Sequence, residues 1–315
     1  MTVAGSVLEL IGNTPMVDIS SLSPNSNVRI LLKLEGGNPG GSIKDRVALS
    51  LIEDAEEQNI LKPGATLLEP SSGNTGIGLA LVSKVKGYKL KVVLPGNVSP
   101  ERRQLLMIYG AEIIESPGSE GSNGAVRLAN KLAAEHPEWV FLYQYANPAN
   151  PKAHIVGTGP EIWRDCPEVT HFIAGLGTSG TLIGVGSYLK EKNPDIQVWA
   201  VEPPSGEMVD GLRNLDDGYI PPIFTEFGGE KLLDRKTVVG PKDSIEWSKN
   251  LAEIGIFAGI STGAALAGAI KCAKQIDSGV IVLISPDGGW KYLSTGAWTD
   301  DIDVVVERAK KTIYF

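Results

Sequence analysis

A lysine at position 44 lies in a short segment that could carry amine chemistry. Residues 42–46 read Ser-Ile-Lys-Asp-Arg, and apolar residues follow them at helical spacing. Ser42 and Asp45 fit the serine-x-x-acid start of a helix, which predicts that Lys44 lies in the first turn. The positive end of a helix disfavours an ammonium and favours the neutral amine that adds to carbonyl groups. A solvated surface lysine is the alternative, because most lysines are exposed.

A second segment, residues 71–76, reads Ser-Ser-Gly-Asn-Thr-Gly and joins a predicted strand to an apolar predicted helix. Hydroxyl groups, glycines and the amino end of a helix together form a binding site for a carboxylate or a phosphate. A flexible loop is the alternative, and the compact run of these residues at a strand end argues against it.

A third segment, residues 175–180, matches the G-x-G-x-x-G pattern between a strand and a helix, and Glu202 ends the next predicted strand. An acid about twenty residues after the glycines is expected in a dinucleotide site, so a nicotinamide oxidoreductase fits this motif. Hydroxyls interleaved among the glycines suit a terminal phosphate monoester better than a pyrophosphate. On this motif by itself, both interpretations stay open.

The composition is that of an ordinary globular protein. The chain has 315 residues, 42% of them hydrophobic, and a net charge of −8, which leaves room for two α/β domains and offers no basic stripe for nucleic acid. Cys166 and Cys272 lie far apart and the histidines show no ligand spacing, so we predict reduced thiols and no metal site. The N-terminus lacks signal-peptide features and the apolar runs are of strand length, which predicts a cytoplasmic protein without membrane spans.

Short β-rich runs alternate with helix-period stretches, a pattern that predicts mostly parallel sheets covered by helices. The predicted strands cover residues 66–69, 91–94, 112–115, 171–174, 197–201 and 280–284. The predicted helices cover residues 45–57, 76–85, 100–109, 122–135, 181–191 and 262–275. Turn residues cluster at 147–151, and residues 203–229 resemble a long functional loop. Binding sites in such folds lie at the carboxyl ends of strands, where the second and third segments fall.

Several segments resemble, in order and spacing, the cysteine synthase and cystathionine β-synthase group of fold-type II pyridoxal-phosphate enzymes. They are residues 12–15 (GNTP), 42–46 (SIKDR), 71–76 (SSGNTG), 147–150 (NPAN) and 259–264 (GISTGA). The resemblance implies two three-layer α/β domains with largely parallel twisted sheets and the active site between them. Residues 39–147 would form a smaller, mobile domain with the substrate-carboxylate loop, and residues 1–38 plus 148–315 a larger domain that binds the cofactor phosphate. The nicotinamide interpretation is thereby set aside.

The resemblance also implies a role for each matching residue. Pyridoxal 5'-phosphate would be the cofactor, Lys44 its Schiff-base lysine and catalytic proton shuttle, and Asn74 the partner of its phenolic oxygen. Ser261 would face the pyridine nitrogen, where a neutral hydroxyl suits β-elimination better than transamination. The implied phosphate cradle consists of Gly177, Thr178, Ser179, Gly180 and Thr181. The implied substrate-carboxylate site consists of Ser71, Ser72, Thr75 and Gln144.

Residues 211–214, Gly-Leu-Arg-Asn, resemble the branch of this family that uses O-phosphoserine, in which an arginine grips the substrate's phosphate. Arg213 would be that residue, because a guanidinium matches a phosphate bidentately. The alternative is that Arg213 pairs with Asp216 or Asp217. Residues 143–145, 255–258 and 289–296 resemble the actinobacterial, carrier-protein-dependent members of the branch. In those members the C-terminus covers the cleft, a role that would fall here to residues 310–315.

The sequence therefore predicts a pyridoxal-phosphate-dependent cysteine synthase of the O-phosphoserine sulfhydrylase type, a homodimeric transferase of cysteine biosynthesis. The product would be L-cysteine or a cysteine adduct, and the sulfur donor would be sulfide or a small thiocarboxylated sulfur-carrier protein. The alternatives are an O-acetylserine sulfhydrylase using sulfide or thiosulfate, a serine or threonine dehydratase, and a catalytically silent homologue. The retention of Lys44, Asn74 and Ser261 argues against a silent protein, and the context of Lys44 resembles the synthases more than the dehydratases.

Overall fold

The structure is a computed structural model that describes residues 3–71 and 73–309. Ten strands of these residues form two separate sheets. The strands are β1 (Met16–Asp18), β2 (Val28–Leu34), β3 (Thr66–Pro70), β4 (Lys89–Pro95), β5 (Glu112–Ser116), β6 (Trp139–Phe141), β7 (His171–Gly175), β8 (Gln197–Glu202), β9 (Arg235–Val238) and β10 (Gly279–Ser285).

Helices connect these strands. The α-helices are α1 (Lys44–Glu57), α2 (Asn74–Lys86), α3 (Pro100–Ile108), α4 (Gly121–Glu135), α5 (Ala149–Ala153), α6 (Gly159–Asp165), α7 (Gly180–Lys192), α8 (Pro222–Glu226), α9 (Gly229–Leu232), α10 (Pro241–Glu253), α11 (Ile260–Ala273) and α12 (Ile302–Ala309). A π-helical turn spans His154–Thr158, and short 3-10 helices span Val7–Leu10, Ser20–Leu22, Glu35–Gly37, Gly118–Glu120 and Gly289–Thr295. Among the described residues, no helix combines the length and apolar composition needed to cross a bilayer.

The smaller sheet has four parallel strands in the order β5-β4-β3-β6. Leu67 and Leu68 are neighbours on β3 and so point to opposite faces of the sheet. Leu67 packs in one apolar cluster with residues of α1, α2 and α3, whereas Leu68 packs with Ala125 and Ala129 of α4. Helices therefore cover both faces of this sheet, as expected for a parallel sheet.

The larger sheet has six strands in the order β1-β2-β10-β7-β8-β9, and only the edge pair β1–β2 is antiparallel. Ile173 of β7 faces a cluster that includes residues of α10 and α11, and Phe172 faces a cluster with residues of α6 and α7. Each sheet is thus the middle layer of three. The predicted fold class, three-layer α/β with largely parallel sheets, is confirmed.

The two sheets divide the chain in sequence as well as in space. Strands β3 to β6 all lie within residues 39–147, and the six strands of the larger sheet lie outside that range. The domain boundaries and the mobility of the smaller domain stay predictions. α5 begins inside the predicted turn cluster at 147–151, because the Asn147 side chain accepts a hydrogen bond from the Ala149 amide at 2.9 Å and Pro148 precedes the helix.

Candidate active site

One cavity lies where strands of both sheets end, and it gathers most of the predicted site residues. β3 runs into the segment after Pro70, and β7 runs into the glycine segment after Gly175. The predicted residues that line this cavity are Lys44, Ser71, Asn74, Thr75, Gln144, Gly177, Thr178, Ser179, Thr181, Arg213 and Ser261. Gly180 begins α7 directly beside it. Ser72 and the proposed lid at 310–315 lie outside the described residues.

Lys44 is the first residue of α1, as predicted, and its side chain reaches the glycine segment of the larger sheet. Its Nζ donates to Thr178 Oγ1 at 3.4 Å, and within the described part of the chain Lys44 forms no ion pair. Burial lowers the pKa of Lys44 to about 8. The predicted serine–acid cap does not form, because Ile43 is the N-cap residue and Asp45 accepts from the Gly40 amide. A neutral amine is therefore favoured by burial.

The glycine segment after β7 forms an anion cradle. α7 begins at Gly180, so its first amides point at this end of the cavity. Ser179 has a left-handed backbone (φ +74°), and its buried hydroxyl has no hydrogen-bond partner among the described residues. A Cβ on Gly177 would lie 2.8 Å from the Gly211 carbonyl oxygen, so the segment is packed against the opposing loop. An orphan hydroxyl at a helix N-terminus fits a phosphate group.

Glu202, the acid that a dinucleotide site would use, forms structural contacts outside the cavity instead. Its carboxylate pairs with Lys236 at 3.1 Å and accepts from the Leu215 amide. Glu202 does not line the cavity. The glycine segment therefore lacks the acid that ribose recognition requires.

Hydrogen bonds from its own side chains fix the conformation of the segment after β3. Ser71 Oγ accepts from the amides of Gly73 and Gly76, at 3.2 and 2.9 Å. Thr75 Oγ1 donates to Gln144 Oε1 at 2.6 Å, so two predicted carboxylate-binding residues touch. Ser71, Thr75 and Gln144 are buried, and their hydroxyl and amide groups offer donors to a small carboxylate.

Glu69 at the end of β3 holds Gln144 in place. Its carboxyl group accepts from the amides of Tyr143 and Gln144, at 2.7 and 3.0 Å. Burial raises the pKa of Glu69 to about 8, against the effect of both amides. The end of β3 thus fixes the chain that follows β6, which brings Gln144 to Thr75.

Asn74 begins α2 and is clamped between two ionisable groups. Its Nδ2 donates to Asp287 Oδ2 at 2.7 Å, and Lys291 Nζ donates to its Oδ1 at 2.7 Å. Asp287 Oδ2 also accepts from the Tyr292 hydroxyl at 2.5 Å. The sequence indicated the segment 289–296 only by resemblance, without a role for Lys291.

Arg213 lies on the loop after β8 and forms no ion pair with Asp216 or Asp217, two nearby acids in the described sequence. Its guanidinium stacks over Tyr145 and Tyr219, with centroid distances of 5.3 and 4.8 Å. Asp217 instead accepts from Ser205 Oγ, and Asp216 lies near Lys236. Within residues 3–71 and 73–309, no carboxylate forms an ion pair with Arg213. The alternative pairing with Asp216 or Asp217 is therefore wrong.

The cavity contains a second guanidinium, that of Arg102, which the sequence analysis did not predict. Arg102 of α3 pairs with Asp210 at 2.6 Å, and both side chains are buried and line the cavity. The Arg102 guanidinium also lies 4.8 Å from the Tyr292 ring centroid. The two residues are 108 positions apart, so no local pattern could have joined them.

Comparisons with known proteins agree on one family. A family model described as "Pyridoxal-phosphate dependent enzyme" matches residues 7–287. Cysteine synthase B of Escherichia coli (strain K12) is 40% identical over 295 residues, which cover 93% of this chain and 96% of that protein.

Two solved structures have the same fold. An O-ureido-L-serine synthase superposes with a TM-score of 0.88 at 36% identity, covering 95% of this chain and 97% of that one. O-acetyl serine sulfhydrylase isoform 3 from Entamoeba histolytica superposes with a TM-score of 0.85 at 34% identity, covering 98% and 96%.

Proposed function

This chain belongs to the pyridoxal-phosphate dependent enzymes, and from that premise we propose that it makes L-cysteine from O-phospho-L-serine. Its similarity to cysteine synthase supports pyridoxal-phosphate-dependent formation of cysteine by β-replacement. Overall, the Cβ–O bond breaks with its electron pair going to phosphate, and a C–S bond forms at the same carbon. The proton removed from Cα is returned in the product.

The residues of the cavity divide this work. When bound, pyridoxal phosphate supplies an aldehyde that condenses with amines and a ring that withdraws electrons. The cradle at 177–181 would hold its phosphate, and Asn74 and Ser261 would hold its ring. Lys44 would move the proton at Cα, a task that suits an amine whose pKa burial lowers to about 8. Ser71, Thr75 and Gln144 would bind the substrate carboxylate.

The observation that favours O-phosphoserine is the state of Arg213. A phosphoserine side chain carries a charge near −2, which a guanidinium compensates bidentately. Arg213 lines the cavity and forms no ion pair with a described carboxylate, so its charge is available to a substrate. The tyrosine rings on which it stacks limit the orientations of its guanidinium.

We expect Arg213→Ala to lower kcat/KM for O-phosphoserine about a hundredfold, because a buried charge-assisted pair contributes about 3 kcal/mol. Turnover of O-acetylserine, which has no charged leaving group, should change less than about threefold. Arg213→Lys keeps the positive charge but cannot bind a phosphate bidentately, so its kcat/KM for O-phosphoserine should lie between those of the parent and of Arg213→Ala. Steady-state rates on both substrates measure this, and equal losses on the two would reject the phosphate-binding role.

O-acetylserine is the second candidate substrate, and it is supported by the similarity to an O-acetyl serine sulfhydrylase at 34% identity. A parent enzyme that turns over O-acetylserine at least as well as O-phosphoserine would favour it. Sulfide, thiosulfate and a thiocarboxylated carrier protein are the candidate sulfur donors. The carrier protein is supported by the resemblance of residues 289–296, where Trp290 and Leu293 are exposed. The homodimer and the cytoplasmic location stay predictions.

A further inference from the structure

We propose that Lys291 is a positioning residue for Asn74, which it locks in the one amide orientation that can serve the cofactor. Asn74 lines the cavity, whereas Lys291 lies behind it and does not. The inference rests on the proposed function, because that function assigns Asn74 to the phenolic oxygen of the cofactor.

Lys291 is one of the two lysines whose side chains are fully buried among the described residues. Its Nζ donates to Asn74 Oδ1 at 2.7 Å and to the Gly41 carbonyl oxygen at 3.1 Å. No ion pair joins Lys291 to a carboxylate of the described chain. A buried ammonium costs several kcal/mol unless polar groups compensate it. These two neutral acceptors share that compensation with the nearby carboxylates of Asp287 and Asp45.

The two neighbours of Asn74 determine which way its carboxamide faces. An ammonium only donates hydrogen bonds and a carboxylate only accepts them. Lys291 therefore requires Oδ1 on its side, and Asp287 requires Nδ2 on the other. A flipped amide would place NH2 against NH3⁺ and oxygen against carboxylate. The locked amide donates one N–H to Asp287, which leaves its second N–H for an acceptor in the cavity.

Lys291 also ties this amide to the segment that leads into Lys44. Lys291 binds the carbonyl of Gly41, which lies three residues before Lys44 in the loop that leads into α1. Ser42 forms a backbone bridge with Asp287, and the Ile43 amide donates to the Pro286 carbonyl. The Lys291 ammonium thus fixes the Asn74 side chain relative to the loop that leads into Lys44.

The test compares Lys291→Met, Lys291→Arg and Asn74→Ala with the parent, each loaded with pyridoxal phosphate. The readouts are cofactor affinity and the visible absorbance of the bound cofactor across pH. We expect Lys291→Met to shift the pH midpoint of the visible band and weaken cofactor affinity about tenfold, the loss of one charge-assisted hydrogen bond. Lys291→Arg keeps a hydrogen-bond donor, so its cofactor affinity and its pH midpoint should stay close to those of the parent.

Lys33 provides the matched control. Its side chain is also fully buried, and its Nζ binds Glu161 and the Thr14 carbonyl, away from the cavity. Lys33→Met should lower stability and leave the absorbance profile of the bound cofactor unchanged. Lys291→Leu, which also removes the donor, carries the same test if the methionine variant does not fold.

The double variant decides whether Lys291 acts through Asn74. In an Asn74→Ala background, Lys291→Met should have no further effect on the absorbance profile. An equal effect in both backgrounds, or an unchanged profile in the single variant, overturns the proposal. The proposed function is checked separately: borohydride treatment of the loaded parent should fix the cofactor on Lys44, and failure there would remove the premise while leaving the amide contacts intact.

Discussion

Lys44 lies in the cavity without an acidic partner among residues 3–71 and 73–309, and this lowers the stability of the protein without its cofactor. Its pKa falls to about 8 because burial disfavours the ammonium. In the unfolded chain the same amine keeps the ordinary value of 10.5. Folding at neutral pH must therefore bury a charged amine, a penalty that binding of the amine to an aldehyde would remove.

We expect Lys44→Met to stabilise the cofactor-free protein by about 3 kcal/mol at pH 7, where the ammonium penalty is fully present. The folded pKa is lower than the unfolded one, so the penalty shrinks as the pH rises from about 8 to 10.5. The difference between variant and parent should shrink over the same range. Urea unfolding at several pH values measures it; a stability gain that does not change with pH would contradict the assignment of the effect to charge.

Single residues of the site were predictable only where the chain keeps them together. Lys44, Asn74 and the cradle at 177–181 belong to short motifs, and the structure brings them to one cavity. Lys291 and Asn74 are 217 positions apart, and nothing in the sequence around Lys291 indicates that it is buried. Contacts between distant segments depend on the packing of the whole fold, so local patterns do not contain them.

At the scale of elements, the start of α7 shows how closely the cradle is packed. An added Cβ on Gly180 would lie 2.0 Å from Asn150 Oδ1, and Asn150 Nδ2 in turn donates to Thr178 Oγ1 at 3.1 Å. The first turn of the helix therefore approaches α5 through a position that tolerates only glycine.

Gly180→Ala should accordingly weaken the binding of pyridoxal phosphate about tenfold or more, because the shift of Asn150 disturbs Thr178. Gly186→Ala is a control on the same helix, since the nearest atom to its added Cβ is 3.1 Å away on the side chain of Val198. Equilibrium titration of the cofactor-free proteins compares the two. Equal affinities would mean that the cradle adapts to the extra methyl group.

The predicted elements include most of the longer strands and helices, although the amphipathic helices α10 and α12 escaped the sequence analysis. Several of the missed strands have a physical explanation. β2 contains Arg29 and Lys33, which obscure its apolar pattern. Lys33 is nevertheless fully buried, because Glu161 compensates its charge at 2.8 Å. β1, β6 and β9 have only three or four residues, too few to show a period. Their existence depends on the neighbouring strands with which they pair.

At the scale of the whole molecule, the Arg102–Asp210 pair connects the parts of the chain that carry the two sheets. Arg102 lies on α3, between β4 and β5 of the smaller sheet, and Asp210 lies on the loop after β8 of the larger one. Both side chains are less than a tenth exposed. The pair therefore spans the cleft in a place where water cannot replace either partner.

We expect Asp210→Ala to lower the free energy of unfolding by about 3 kcal/mol, because it removes the carboxylate that pairs with the buried Arg102 guanidinium. The exposed pair Lys242–Asp303 provides the control, and Asp303→Ala should cost less than about 1 kcal/mol. Urea unfolding of both variants measures the difference. Similar small losses for the two would indicate that the buried pair does not join the two halves.

Ser179 has a consequence for how long the protein survives in a cell. A serine in the left-handed region costs about 1 kcal/mol relative to glycine. In the part of the chain that the structure describes, the Ser179 hydroxyl is buried without a hydrogen-bond partner. A bound phosphate would give that hydroxyl its partner, so the cost of the unpaired hydroxyl falls only on the form without the cofactor. Chains that have not yet acquired vitamin B6 should unfold more often and be degraded sooner, which would make the amount of this protein follow the supply of the vitamin.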